Sequence, residues 1–255
     1  MKTTLFAFAL VAALSLSAVA ANSQKPAPSI HRAGDSSAQL PQANGFPSTP
    51  PPLCRPCLFY GGDISTSNPN AAGMSDENTL LIVGGGYTYG AVTIPAGVTG
   101  HVYGIVFNIQ ADAAFDPLTA TYDIRTGVSE NNGGTSLASG SGNAIVQATG
   151  RNFLGLNEYS VEVSFPTVTL TPGTYWFNVE PQCLNTLDGS CNVFRQFVSN
   201  SNLANQINGT WQPVHQMYLN SSFFGFDFAN WCDASVAGFN SIQCAGMSFG
   251  LRGTE

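Results

Sequence analysis

The stretch Glu158-Tyr-Ser-Val-Glu-Val-Ser-Phe165 alternates polar and apolar side chains without a break. That period of two belongs to a β-strand with one buried face, because successive side chains leave a pleated strand in opposite directions. The same alternation runs through Ala120, Tyr122 and Ile124 against Thr121, Asp123 and Arg125. In His101 to Gln110 the positions Tyr103, Ile105, Phe107 and Ile109 form one apolar face, with Val102 and Val106 making the other face partly apolar. Helical periodicity is almost absent after residue 54. Further strand-like runs are Leu80 to Val83, Tyr87 to Ile94, Ala144 to Ala148, Val193 to Ser199, Phe223 to Phe228 and Gly246 to Leu251. Turn signals separate the runs, at Pro95-Ala-Gly97, Asn131-Asn-Gly-Gly134, Ser141-Gly-Asn143 and Pro172-Gly173. Many short strands joined by turns predict an all-β fold: an antiparallel β-sandwich, jelly-roll-like.

Residues 1–20 read as a secretory signal peptide. Lys2 precedes the apolar run Leu5 to Ala18, and Ala18-Val19-Ala20 supplies the small-residue cleavage pattern. The apolar run is too short for a good membrane span, and no second run of about 20 apolar residues follows. The expectation is a secreted, extracellular protein, passing through the periplasm if the host has two membranes. Residues 21–53 are rich in Pro, Ser, Ala, Gln and Asn and read as a disordered, proline-rich linker. Residues 54–255 then form a single sandwich domain.

Charge narrows the partners. From residue 54 onward fourteen carboxylates face five arginines and no lysine. A nucleic-acid partner needs a basic patch, and none is present; an anionic membrane surface is disfavoured for the same reason. A surface dominated by Asn, Gln, Ser, Thr and Gly suits neutral, hydroxyl-rich partners such as polysaccharide, or cell-surface components. Six cysteines in an exported chain predict disulfides that staple the sandwich. Proximity pairs Cys183 with Cys191 and Cys232 with Cys244, leaving Cys54 with Cys57. Cys-Arg-Pro-Cys has the spacing of a redox motif, but it precedes no helical pattern and reads as structural.

Catalytic signals are sparse. Gly134-Thr-Ser136-Leu-Ala138 lacks the final glycine of a nucleophile elbow. His101 and His215 have no neighbouring His or carboxylate at zinc-ligand spacing and read as surface residues. Asp123, Glu158, Glu162 and Glu180 all fall on faces expected to point outward. They leave a glycoside hydrolase, or a related hydrolase, as the alternative function. Calcium is the metal to test, with Asp63, Asp76 and Glu77 as oxygen ligands, although the spacing from Asp63 does not match the helix-loop calcium motif.

Leu170-Thr-Pro-Gly-Thr-Tyr-Trp-Phe-Asn-Val179 enters a strand through a turn. Tyr175, Phe177 and Val179 form its core face, which puts Trp176, Asn178 and Glu180 on the other. An aromatic ring beside planar polar groups is a candidate sugar-binding set; packing under a loop is the competing reading. Tyr87, Tyr89, Trp211 and Trp231 are further aromatic candidates.

Four segments, "YGGDISTSNPNAAGM", "YDIRTGVSENNGGTSLASG", "EYSVEV" and "LTPGTYWFNVEPQ", together resemble a group of uncharacterised secreted bacterial β-sandwich proteins. The resemblance covers most of residues 59–255. The last segment is also weakly similar to pre-peptidase C-terminal and carbohydrate-binding-module sandwiches. What the resemblance implies is a secreted β-sandwich, with no catalytic residues to carry over. The expected function is a non-catalytic surface-contact or cell-envelope and matrix module that binds neutral polysaccharide.

Overall fold

A computed structural model describes residues 54–64, 73–79, 82, 85–111, 115–153, 155–183, 191, 193, 195–201, 203–230 and 246–255, together with the backbone of 29–30. The expected signal peptide, nearly all of the linker, Trp231, Cys232 and Cys244 lie outside the described residues. The strands are β1 (Ser29–Ile30), β2 (Phe59–Tyr60), β3 (Gly73–Ser75), β4 (Tyr87–Ile94), β5 (Gly100–Ala111), β6 (Thr119–Thr126) and β7 (Thr135–Phe153). They continue with β8 (Leu156–Leu170), β9 (Gly173–Pro181), β10 (Gln196–Ser199), β11 (Gln212–Ser221), β12 (Phe226–Asn230) and β13 (Phe249–Thr254).

The pairing is nested: β6 lies against β7, β5 against β8 and β4 against β9, all antiparallel. A long hairpin folded over on itself gives this pattern, and it generates two four-stranded layers in the orders β3-β10-β5-β8 and β4-β9-β6-β7. That is a jelly roll, as the alternation predicts. β11 and β12 extend the second layer beyond β4, while β13 and β2 attach beside β5. β7 serves both layers. Its first half, to Asn143, pairs with β6, and its second half, from Ala144, pairs with β8, which closes one side of the sandwich.

The core follows from the period of two. Ile105, Phe107 and Ile109 of β5 and Val161 and Val163 of β8 face Val92, Ile124, Phe177 and Val179 of the opposite layer. Each such side chain contributes about 1.5–3 kcal/mol of burial. Trp211 joins this core and lies over Gly100, where a Cβ would sit 2.2 Å from its ring. Only glycine fits there.

Two disulfides staple the described structure, Cys54–Cys57 and Cys183–Cys191, as proximity predicts. Cys54 packs on β13 at Gly250, where a Cβ would lie 2.2 Å from its sulfur.

One expectation is corrected. The polar side of β8 is not wet: Glu158, Ser160 and Glu162 are buried, as are Asn108 and Gln110 beside them on β5. Residues 59–64, 199–205 and 247–252 supply the groups that meet this face. Buried acids there are matched. Glu158 accepts from Arg151, and Glu162 accepts two hydrogen bonds of 2.9 Å from Arg252. A carboxylate under a second layer has the same sequence signature as one in water, because only its partner differs.

Candidate functional site

Strand alternation aims four rows of side chains at the outer surface of the second layer. β6 contributes Thr121, Asp123 and Arg125, and β9 contributes Trp176, Asn178 and Glu180. Register sets Arg125 beside Trp176, Asp123 beside Asn178 and Thr121 beside Glu180. β4 adds Tyr87 and Tyr89, and β11 adds Tyr218 and Asn220, paired as Tyr89 with Tyr218 and Tyr87 with Asn220.

One end of this surface is a small second core. Trp176 packs edge-on against Tyr218 at 4.9 Å, within a cluster that includes Tyr89, Val128 and Phe228. Trp176 is only 4% exposed. It does lie on the outer face of β9, as predicted, but it meets protein there rather than solvent. A stacking platform needs an open ring face, so packing is the role this geometry gives it.

Next to this cluster lies a cleft of about 280 Å³, lined by Tyr87, Tyr89, Asp123, Arg125, Asn178 and Asn220 among others. Its polar groups are held by hydrogen bonds. Asp123 accepts from the Arg125 Nε, from the Tyr89 hydroxyl at 3.0 Å and from Ser136 at 2.7 Å. Arg125 also donates to the Gly133 carbonyl at 2.8 Å and lies over the rings of Phe228 and Tyr89 at 5.3 and 5.8 Å. Burial, with the Asp123 carboxylate adding to it, drives the Tyr89 hydroxyl well above the usual tyrosine range. Both partners of the Asp123–Arg125 pair are thereby fixed at the cleft wall.

The floor is built differently. The ladder between β4 and β9 runs from Ile94 opposite Gly173 to Gly90 opposite Phe177 and goes no further. Beyond it, the backbone groups of Thr88 are satisfied by side chains. The Thr88 N–H donates to Asp76 Oδ1 at 2.9 Å, and its carbonyl accepts from Asn178 Nδ2 at 2.9 Å. Asn178 Nδ2 donates its second proton to the same Asp76 oxygen at 2.7 Å. An acid and an amide thus fill the seam where two strands part, because buried peptide groups must find partners.

Behind this floor is an accumulation of acid. Asp76, Glu77 and Glu180 are all fully buried. Glu77 forms an ion pair with Arg195 at 2.9 Å and accepts from Ser75 and the Gln196 N–H. Among the described residues no ion pair reaches Asp76 or Glu180, and Asp76 Oδ2 and Glu180 Oε1 accept no hydrogen bond. Burial pushes the Glu180 carboxyl up to about 8, despite the N–H that Gln182 donates to its other oxygen. Burial also raises Asp76 well above the carboxylate range and raises Glu77. Tyr87 stands between Glu180 and the cleft, and burial plus the Glu180 and Asp76 charges push its hydroxyl up to about 12.

The structure separates the remaining sequence candidates. Of the four carboxylates expected to point outward, Asp123 and Glu180 belong to this surface, whereas Glu158 and Glu162 sit on the outer face of the other layer with their arginines. The three calcium candidates also part company. Asp63 accepts from Arg151, Tyr60 and Asn205 over the β5/β8 layer, while Asp76 and Glu77 lie beside β4 and β10. Among the described residues no three His, Cys, Asp or Glu side chains converge on a common point. His101 is exposed and bonded to Thr169 at 3.1 Å, and His215 is also exposed. Arg125, Thr121 and Asn220 line the cleft without a sequence pattern that marks them as ligand contacts. The alternation of β6 carries the signal that Thr121 and Arg125 share a face, whereas Asn220 on β11 arrives through topology rather than local sequence.

Comparison with protein-family models, curated proteins and solved structures finds no match to this chain.

Proposed function

We propose that the protein is an exported, non-catalytic binding module that holds a neutral polysaccharide in the cleft between Tyr87, Asp123 and Asn178. The observation that carries this reading is the cleft itself, where tyrosines and fixed planar polar groups surround a volume of about 280 Å³, the scale of one or two sugar rings. Export is supported by the leader-like first twenty residues and by two disulfides. Among the described residues no helix is long and apolar enough to cross a membrane. The scarcity of basic residues fits a neutral partner in the envelope or extracellular matrix better than an acidic one.

Electrophoresis through gels containing soluble galactomannan, xyloglucan or mixed-linkage glucan tests the reading. Retarded migration is expected with at least one of them, and Tyr87→Ala combined with Asn220→Ala should abolish it in a protein that still unfolds cooperatively. Migration unaffected by every gel would remove the proposal.

A hydrolase is the second reading, and one observation favours it. Asp123 and Glu180 share the same sheet face, and a carboxyl that titrates near 8 keeps its proton at neutral pH as a general acid requires. Glu180, however, is fully buried and Tyr87 stands in front of it. Glycan turnover that disappears in Glu180→Gln would favour the enzyme; no turnover on the same glycans leaves the binding module.

A further inference from the structure

We infer that Phe228 is a positioning residue for this cleft: a bulge in β12 turns its ring outward to hold Arg125, and through it Asp123, at the wall where the ligand binds. This rests on the binding reading above and names how that site is kept in shape. Phe226 and Phe228 are two residues apart, so an unbroken strand would send both rings to the same face. Phe226 packs on the main core, whereas Phe228 belongs to the outer cluster with Trp176 and Tyr89. The register shows where the chain changes step. Leu219 stands opposite Ala229 and Ser221 opposite Phe226, so Asp227 and Phe228 together occupy the place opposite one residue, Asn220. A bulge of this kind re-aims a side chain, and Asn220 opposite it lines the cleft.

The backbone at Phe228 is unfavourable in itself. Its φ of 44° lies in the left-handed region, where a bulky aromatic residue is strained and persists only if its surroundings enforce the conformation. What the conformation supplies is placement. The ring lies 5.3 Å from the Arg125 guanidinium carbon and 5.4 Å from the Tyr89 ring. The connection from β6 to β7 closes on it: a Cβ at Gly133 would sit 2.5 Å from the Phe228 ring and 2.8 Å from Arg125 Nη1. The Asn131 N–H also donates to the Phe228 carbonyl at 3.3 Å. Stacking uses the face of a guanidinium and leaves its N–H edge for Asp123 and the Gly133 carbonyl. Phe228 is not part of the cleft lining. It acts through Arg125, whose side chain is 23% exposed there.

Affinity electrophoresis of the intact protein, on whichever galactomannan, xyloglucan or mixed-linkage glucan gel retards it, tests the inference. Phe228→Leu keeps apolar volume in the cluster but loses the ring. Phe228→Gly removes the ring and suits the left-handed backbone. Both should weaken retardation at least fivefold. In an Arg125→Lys background, itself weaker than the parent, Phe228→Leu should add less than a twofold loss, because the group it positions is gone. A merely structural role predicts that Phe228→Leu keeps the parent's retardation, or that its loss multiplies with that of Arg125→Lys. Either result overturns the inference and leaves the binding reading standing. A parent protein that no gel retards removes that reading and the inference with it.

A second readout needs no ligand. The Arg125 Nε–H resonance, assigned by its absence in Arg125→Lys, should be protected from exchange in the parent and exchange with water at least tenfold faster in both Phe228 variants. Unchanged exchange in either variant overturns the inference. Should one variant fail to fold, the other carries both measurements.

Discussion

The outer faces of the two layers both carry buried acids, yet they are built on opposite principles. Over the β5/β8 layer, Arg151 binds Glu158 and reaches Asp63 at 2.8 Å, and Tyr60 donates to Asp63 at 2.8 Å. Asn108 links Tyr60, Ser248 and Ser160 at 2.7–2.8 Å. Every acid there has an arginine. Over the β4/β9/β6 layer, Asp123 and Glu77 have arginines, but among the described residues Asp76 and Glu180 have none. A matched network is a way to close a sheet face without an apolar layer. Unmatched acids cost stability, and here they lie behind a cleft. The difference marks one face as structure and the other as the place where the fold gives up stability.

The largest expected effect breaks the closed face. Arg151→Met leaves Glu158 and Asp63 buried without their cation, and removing one partner of a buried pair costs about 3–5 kcal/mol. For a domain of this size that lowers the melting midpoint by roughly 10 °C. Thermal unfolding followed by circular dichroism checks it, and adding Glu158→Gln should recover part of the loss. A midpoint within a degree of the parent would show that the network does not hold this face.

Trp176→Ala comes next and acts on the other face. The side chain fills the small cluster with Tyr218 and Phe228, so truncation should cost about 3 kcal/mol, while Trp176→Phe should cost much less. If Trp176 instead served as an open sugar platform, both variants would keep the parent midpoint and lose retardation on the polysaccharide gel. The two outcomes differ in both readouts.

This pair of faces also shows where the sequence is legible. Strand identity, the Tyr175–Phe177–Val179 core face and the two described disulfides follow from period two and from proximity. The strand over Tyr87–Ile94 has the bounds that the sequence run predicts. The stretch expected as a strand from Phe223 instead turns at 222–225 and pairs only from Phe226. Burial of the second face was not legible. Glu158 and Glu162 read as wet because alternation reports that a position faces away from the first core, not what lies beyond it. The partners arrive from far along the chain: Arg252 is ninety residues from Glu162, and Asp63 eighty-eight from Arg151. The cleft was half legible. Asn178 and Tyr87 stand out in the sequence by their chemistry, but the seam that joins Asp76 to Asn178 depends on where the β4–β9 ladder stops.

The smallest effect is in pH, and it separates the two faces without disrupting either. Glu180 titrates near 8 in the folded protein because burial disfavours its charge, against an ordinary value near 4.3 when unfolded. The folded state therefore holds a proton that the unfolded state releases between those values. The contribution of Glu180 is fully present below the ordinary carboxylate range and is lost as pH climbs through about 8, at no more than roughly 1.4 kcal/mol per pH unit. Stability measured in urea should fall between pH 5 and 8, and Glu180→Gln should flatten part of that slope. Asp76 and Glu77, also raised by burial, account for the remainder, with Arg195 opposing the shift at Glu77. Glu158→Gln on the matched face should lower stability without removing the slope. If Glu180→Gln left the slope intact while Glu158→Gln removed it, the pH-sensitive acid would lie on the matched face, and the contrast between the two layers would be reversed.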